Sequence, residues 1–399
     1  SAAEPSTFAG ASTEASAVVQ ATQQGNADNQ AEYESGYLLA TLVAGTSPEA
    51  ACSALSAMPG LQGISVAEVI DDLVRFELPD GVSVQEAAQL AVEADGVESA
   101  QPNYRYYPMR EEVFPALQVS ATLTSAATAR GAASLETASL RSTLGLQSLV
   151  DDPYLDDQWY LSSINAQAAW ASAELENPTV TTVAVIDAGF FVDHEDLEDN
   201  VVAAYDATTD TASFNLESSY ESKSDHGTHC AGVIAAVANN GLGIAGVTNN
   251  VCKVLPMRVQ DEQGNIYTSY VARAYSYLVS KKDDYNIRVA SVSLGAASES
   301  RPTRLTDKII YDAIRKGRNA GVVSVAAACN DGESTPPYYA YPSDFDNVVS
   351  VIALSSTTRN DDGVVRASYS NYNVAGQKAK NISAPGTDIL SLVGEGSGS

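Results

Sequence analysis

The sequence predicts a doubly wound α/β domain on a parallel sheet, preceded by a much smaller α+β domain. Three observations carry that expectation. From Asp152 onward, nearly continuous apolar runs of strand length alternate with segments of helical period. Between residues 33 and 108 the elements follow the order β-α-β-β-α-β. A stretch rich in Ala, Ser, Thr and Leu separates the two regions.

The first residues, "SAAEPSTFAGASTEASAVVQATQQGNADNQ", are small and polar without sustained periodicity, so residues 1–32 read as a disordered leader. "GYLLATLV" is strand-like, and "SPEAACSALSAM" follows as a helix with Ser47 at its N-cap and Pro48 in the first helical position. "GISVAEVIDDLVRFEL" alternates as one or two strands. "SVQEAAQLAVEADG" opens on a capping box, Ser83 with Glu86, and stops at Gly96. "VESAQPNYRYY" closes this domain, residues 33–110, as a final strand. The order suits a split βαβ sheet with both helices on one face. Residues 111–151 read as a linker with some helix.

The large domain, residues 152–399, carries the strand runs "TVTTVAVID", "VCKVLPMRV", "IRVASVSLG", "GVVSVAAACN" and "NVVSVIAL". Their continuity is that of strands covered on both faces. Between them lie "HGTHCAGVIAAVANN", "TSYVARAYSYLVSKK" and "RLTDKIIYDAIRKGRNAG", helical in period. The last ends in basic residues with Gly321 just beyond, a stop signal.

Bulk numbers narrow the function classes. The 399 residues with 45% hydrophobic content support real cores, and a net charge of −28 argues against nucleic acid and against an anionic membrane face. No run approaches the length of a membrane-spanning helix. The chain begins at Ser1 without a basic-then-apolar leader, which is compatible with an exported protein whose signal has been removed. Four scattered cysteines, Cys52, Cys230, Cys252 and Cys329, give neither zinc spacing nor a disulfide framework, and buried free thiols are expected. A bridge from Cys230 to Cys329 or Cys252 stays open at this point.

In open α/β sheets, sites form where parallel strands end. Asp187 follows "TTVAVI" at such an end, and Asn330 ends "GVVSVAAACN" at another. His226 starts the helix "HGTHCAGVIAA", whose buried stripe is Cys230, Val233, Ile234 and Val237. Gly227 lets a neighbouring segment approach the imidazole. Each polar residue alone has a bland alternative: a turn aspartate, a capped helix start, an ordinary strand end. Together they form a constellation. Two of the chain's three histidines, His226 and His229, sit in this one stretch, so a zinc pair completed by His194 or Asp193 is a rival. The H-E-x-x-H arrangement with its glutamate base is missing, because Gly227 and Thr228 occupy those places.

"VAVIDAG" with "HEDL", then "DHGTHCAGVIAA", "SVSLG", "AAACNDG" and "SAPGTDILS", resemble the subtilisin-like serine peptidases, in order and over roughly residues 152–399. The small domain, of ferredoxin-like element order, looks like that family's inhibitory propeptide. The resemblance implies a secreted or surface-exported endopeptidase precursor acting on polypeptides, with the propeptide as its own inhibitor and its tail "PNYRYYP" in the cleft until a cut in the 111–150 region. It implies His226 as general base, Asp187 as the carboxylate that orients it, and Asn330 as oxyanion donor. It gives His229 a structural place. Ser293, Leu294 and Gly295 would pair with substrate backbone, although "SVSLG" also reads as a plain buried strand. Asp196 in "HEDL" and Asn240 in "ANNGLGIAG" match positions that hold structural calcium in many relatives, although Asn-Gly is also an ordinary turn.

Two departures stand out. Relatives commonly carry Gly where Cys329 precedes Asn330, so a side chain there is expected to narrow the first specificity pocket or to shift Asn330. The family's serine lies in a Gly-Thr-Ser-Met-Ala segment past "SAPGTDILS". Neither Ser397 nor Ser399 is followed by a helix, so the nucleophile is expected beyond Ser399 and these 399 residues alone are expected to be inactive. A thiol nucleophile, a non-catalytic binding protein on the same fold and a metal-dependent hydrolase are the remaining alternatives.

Overall fold

Alternation within the strands decides what each face of the molecule meets. The computed structural model describes residues 32–109, 150–171, 179–212, 225–296, 307–335, 339–360, 363–374 and 380–394. The expected leader up to residue 31, most of the linker, Ser397 and Ser399 lie outside them.

The small domain comprises β1 (Tyr33–Leu42), α1 (Pro48–Ser56), β2 (Ser65–Ile70), β3 (Leu73–Glu77), α2 (Val84–Ala91) and β4 (Val97–Pro108). Its strands pair antiparallel in the order β4-β1-β3-β2. Leu38, Ala40 and Leu42 of β1 point to the helices and form a core with Leu55 of α1 and Ala87 and Ala91 of α2. Leu39, between them, points the other way and joins Ile70, Leu73 and Tyr106 in the core of the large domain. Both helices open as expected: Ser47 Oγ accepts from Ala50 N at 3.2 Å, and Ser83 Oγ accepts from Glu86 N at 3.4 Å. Helix α2 ends at Ala91, earlier than Gly96, which instead closes the following turn.

In the large domain two short helices, α3 (Trp159–Ser163) and α4 (Ala166–Trp170), precede the sheet. They are followed by β5 (Thr181–Asp187), β6 (Tyr205–Asp206), α5 (Asp225–Ala235), β7 (Cys252–Arg258) and β8 (Ile266–Tyr267). Then come α6 (Thr268–Lys281), β9 (Ile287–Val292), β10 (Leu294–Ala296), α7 (Lys308–Asn319) and β11 (Val323–Ala327). The last elements are β12 (Ser334–Thr335), β13 (Val348–Asn360), β14 (Gly363–Arg366), β15 (Tyr372–Asn373) and β16 (Ile382–Pro385). The main sheet runs β14-β13-β11-β9-β5-β7-β6, with β16 beside β13. All its pairs are parallel except β13 with β14.

Helices cover both faces. Ala184, Ile186, Leu255 and Met257 pack toward α6 and α7, while Val185 and Val254 pack toward α5. The chain places β7 on one side of β5 and then crosses to β9 on the other. That reversal opens a crevice at the carboxyl ends of the central strands. The run "IRVASVSLG" does not continue as one strand. It breaks at Ser293, and β10 leaves the main sheet to pair with β4 of the small domain. Among the described residues no helix is long and apolar enough to cross a membrane.

Candidate active site

Ile186, Val292 and Ala326 lie in register across β5, β9 and β11. The residues that follow them, Asp187, Ser293 and the segment leading to Asn330, therefore leave the sheet at one edge. Asp187 is fully buried, and its Oδ1 accepts from Ala188 N at 2.6 Å. The same oxygen lies 2.6 Å from His226 Nδ1, in the first turn of α5. An ionised carboxylate offers no hydrogen, so Nδ1 carries the proton and Nε2 is the basic nitrogen of the neutral ring. Gly227 is what allows this closeness: a Cβ there would stand 2.2 Å from the carbonyl oxygen of Gly189 and 2.8 Å from the Phe190 ring. Thr228 Oγ1 accepts from Phe191 N at 2.8 Å and pins the helix to the loop after β5.

His226 Nε2 faces a residue of the small domain. It lies 3.2 Å from the carbonyl oxygen of Met109, a contact that becomes a hydrogen bond when the ring is an imidazolium. Met109 N donates to Ser293 O at 2.9 Å. Behind it Pro108, Tyr107 and Tyr106 pair antiparallel with Leu294, Gly295 and Ala296. On the other side Tyr106 and Arg105 pair with Ile266 and Tyr267. The tail of β4 is thus the middle strand of three, and Ser293–Gly295 form one rail of a slot for extended polypeptide.

Gly295 forms part of that slot's floor. A Cβ on it would meet Cys329 Sγ at 2.5 Å and Met109 Cε at 2.7 Å, so the thiol and the Met109 side chain gather over the bare glycine. Cys329 is itself in the left-handed region (φ 74), a conformation that glycine adopts without strain. Its carbonyl accepts from Asn371 N at 2.9 Å, and Asn371 Oδ1 accepts from Asp331 N at 3.0 Å, fixing the loop that carries Asn330.

The other candidates divide clearly. His229 Nε2 lies 2.9 Å from the Ile389 carbonyl, and Ser391 Oγ donates to the His229 carbonyl at 2.7 Å, so this side chain anchors the 389–391 segment. His194 Nδ1 accepts from Asp196 N at 3.1 Å. Among the described residues the one set of metal-competent side chains near His226 is Asp187 with Cys230, and it includes neither His229, His194 nor Asp193. All four cysteines are free. Burial, reinforced by the Asp187 charge, pushes the Cys230 thiol well up, and burial pushes Cys329 up to about 12. Thiols held protonated in this way are poor nucleophiles.

Asp196 and Asn240 are brought together away from the crevice. Asn240 Nδ2 donates to Asp196 Oδ1 at 2.8 Å, and Ile244 N donates to Oδ2 at 2.9 Å. Asp152 accepts from the Asn239 and Asn240 amides at 2.9 and 3.3 Å. Burial pushes the Asp196 carboxyl up to about 6 despite those donors, and Asp152 adds repulsion. Asn240 Oδ1 meanwhile accepts from Leu242 N at 2.8 Å, so the hard oxygen donors gathered here, of the kind calcium takes, are those of the two buried carboxylates.

Sequence reasoning missed the residues that join the two domains. Asn103 Oδ1 accepts from Ser269 N at 3.0 Å at the start of α6, where Tyr267 offers no side-chain cap. Gln101 Oε1 accepts from Ile309 N at 3.2 Å at the start of α7, and its Nε2 donates to Asp307 Oδ1 at 2.9 Å. Two amides spaced i, i+2 on an otherwise ordinary strand were the signal available. Within the expected domain, residues 33–110, the residue that reaches the histidine is Met109, one beyond "PNYRYYP".

Comparison with known proteins bears on the family and the fold. Residues 179–399 match the subtilase family, peptidase S8. Thermitase of Thermoactinomyces vulgaris is 33% identical over 242 residues, covering 60% of this chain and 75% of thermitase. Minor extracellular protease Epr of Bacillus subtilis (strain 168) is 31% identical over 235 residues, covering 59% of this chain and 31% of Epr. Fervidolysin from Fervidobacterium pennivorans, a keratinolytic enzyme related to subtilisin, shares the fold with a TM-score of 0.66 at 23% identity, over 93% of this chain and 50% of that one. The chain therefore spans three quarters of thermitase but half or less of the other two. With more than half of its residues inside the matched region, the chain belongs to the subtilase family of subtilisin-like serine peptidases.

Proposed function

We propose that this chain belongs to a serine endopeptidase precursor whose small domain, residues 33–109, holds the cleft shut. The observation that carries the reading is the Met109 carbonyl at His226 Nε2, at the end of a strand seated between β8 and β10. In this reading His226 Nε2 takes the proton of a serine hydroxyl and returns it to the leaving amine. Asp187 holds the Nδ1 hydrogen and stabilises the imidazolium as it forms. The Asn330 carboxamide donates to the oxyanion. The serine hydroxyl that His226 would serve is not assigned among the described residues.

Seated in this way, the bond after Met109 is the first substrate, and the maturation cut falls between Met109 and Arg110, just ahead of the 111–150 region. Gln101 and Asn103 then hold the released domain by capping α7 and α6. Calcium at Asp196, Asn240 and Asp152 would supply positive charge to carboxylates whose hydrogen bonds, among the described residues, come from amides. Export to the cell exterior fits the acidic surface and a relative named as an extracellular protease.

The test is expression of a polypeptide extended beyond residue 399, followed by N-terminal sequencing of the large fragment. It should begin at Arg110, and His226→Ala should leave the precursor uncut, because loss of the base costs such a triad about 10⁶ in turnover. A precursor that stays whole with His226 intact, and that reacts with no serine-directed fluorophosphonate, would make the protein a non-catalytic binder on this fold.

A further inference from the structure

We propose that Asp307 makes tyrosine the preferred fourth residue before the cut bond, reading its hydroxyl through a hydrogen bond at the bottom of the cleft. The inference rests on the peptidase reading above and adds a side-chain preference to it.

Counting back from Met109, the fourth residue is Tyr106. Its ring is buried between β8 and β10, and its hydroxyl donates to Asp307 Oδ2 at 2.7 Å. Asp307 is 3% exposed and stands at the N-cap of α7, where Oδ1 also accepts from Ile310 N at 3.0 Å. Thr268 Oγ1 donates to Oδ2 at 2.7 Å, and Gln101 Nε2 donates to Oδ1 at 2.9 Å. Four donors thus surround one buried carboxylate, two from the large domain and two from the small one.

When the small domain leaves, Gln101 and Tyr106 leave with it. Asp307 and Thr268 stay behind, and the carboxylate has lost two of its four donors, with water in their place. When a polypeptide fills the cleft again and displaces that water, a buried charged acceptor short of partners is costly. An incoming tyrosine restores the missing bond to Oδ2, whereas phenylalanine fills the same space and restores nothing. The neighbouring position carries no such selection from the large domain. The Tyr107 hydroxyl donates to Glu32, which directly precedes β1 of the small domain. The preference is therefore specific to the fourth position and to the hydroxyl.

The experiment uses the self-processed form of the extended polypeptide and two quenched peptides, Arg-Tyr-Tyr-Pro-Met-Arg-Glu and its analogue with phenylalanine at the fourth position before the cut. The tyrosine peptide should show kcat/KM about tenfold or more higher, the worth of one hydrogen bond to an ionised carboxylate. Asp307→Ser keeps a capping oxygen for α7 but is too short to reach the ring hydroxyl, and should bring the ratio close to one. Equal cleavage of the two peptides by the unaltered enzyme would overturn the proposal. Cleavage of neither peptide would remove the peptidase reading, and the same contact is then read in the 399-residue chain by hydrogen exchange. There Tyr106→Phe should speed exchange of the Tyr107 and Met109 amides about tenfold, and unchanged exchange would overturn the proposal independently of catalysis.

Discussion

Replacing Asn103 with alanine is the sharpest perturbation of the interface between the two domains. Asn103 is fully buried, accepts from Ser269 N at 3.0 Å, and donates to Ser269 Oγ at 3.1 Å and to Glu34 Oε2 at 2.7 Å. Glu34 keeps Arg75, so the main loss falls on the first turn of α6. Loss of a helix cap costs about 1 kcal/mol, and a buried N–H left without an acceptor about 1–3 kcal/mol. These overlap, giving about 2–3 kcal/mol, or roughly a 30- to 150-fold loss of affinity. The small domain has its own core, centred on Leu38, Leu55 and Phe76, so residues 33–109 can be produced separately. Inhibition of the mature enzyme by that fragment and by its Asn103→Ala form would measure the ratio, with circular dichroism confirming that both are folded. A change below about threefold in a folded fragment would refute the capping argument.

Three further outcomes are expected. Lys380→Met should cost about 3–5 kcal/mol in urea unfolding, since Lys380 Nζ and Asp344 Oδ1 form a fully buried pair at 2.5 Å; adding Asp344→Leu should recover part of the loss. Calcium should raise the thermal midpoint and chelation lower it, and Asp196→Asn should abolish the difference; an unaltered response in that variant would place the ion elsewhere. Burial pushes the Tyr160 hydroxyl up to about 12, whereas an unfolded tyrosine titrates near about 10. The stability it contributes is thus complete below about pH 10 and lost as pH rises to about 12, by up to about 3 kcal/mol. Tyr160→Phe should flatten that alkaline slope, and an equally steep slope in the variant would assign it to other groups.

Much of this was legible because each level of the sequence agreed with the next. The apolar runs of β5, β7, β9 and β11 are long and continuous because helices cover both sides, and that pattern needs no tertiary knowledge. The turn aspartate and the helix-start histidine could be singled out because "VAVIDAG" and "HGTH" place them at strand and helix ends. The break at Ser293 was hidden. Val292, Leu294 and Gly295 are as apolar or small as any sheet residue, and what turns β10 away is a partner more than 180 residues earlier in the chain. Asp307 was invisible for the same reason. As "RLTD" before a helix it is an ordinary cap, and the Tyr106 and Gln101 contacts that give it a second use arise only on docking.

Strand β4 spans twelve residues, the first eight along β1 in the small domain's own sheet and the last four in the slot beside His226. One rigid ribbon thus does two jobs, and the grip on the cleft draws its strength from the folding of the piece that grips. On the proposed reading, anything that melts the β1–β4 pairing, whether heat, a protease nick or a destabilising substitution, would convert the plug into a loose peptide open to digestion. Latency would then end abruptly once the plug unravels, because a consumed guardian cannot rebind.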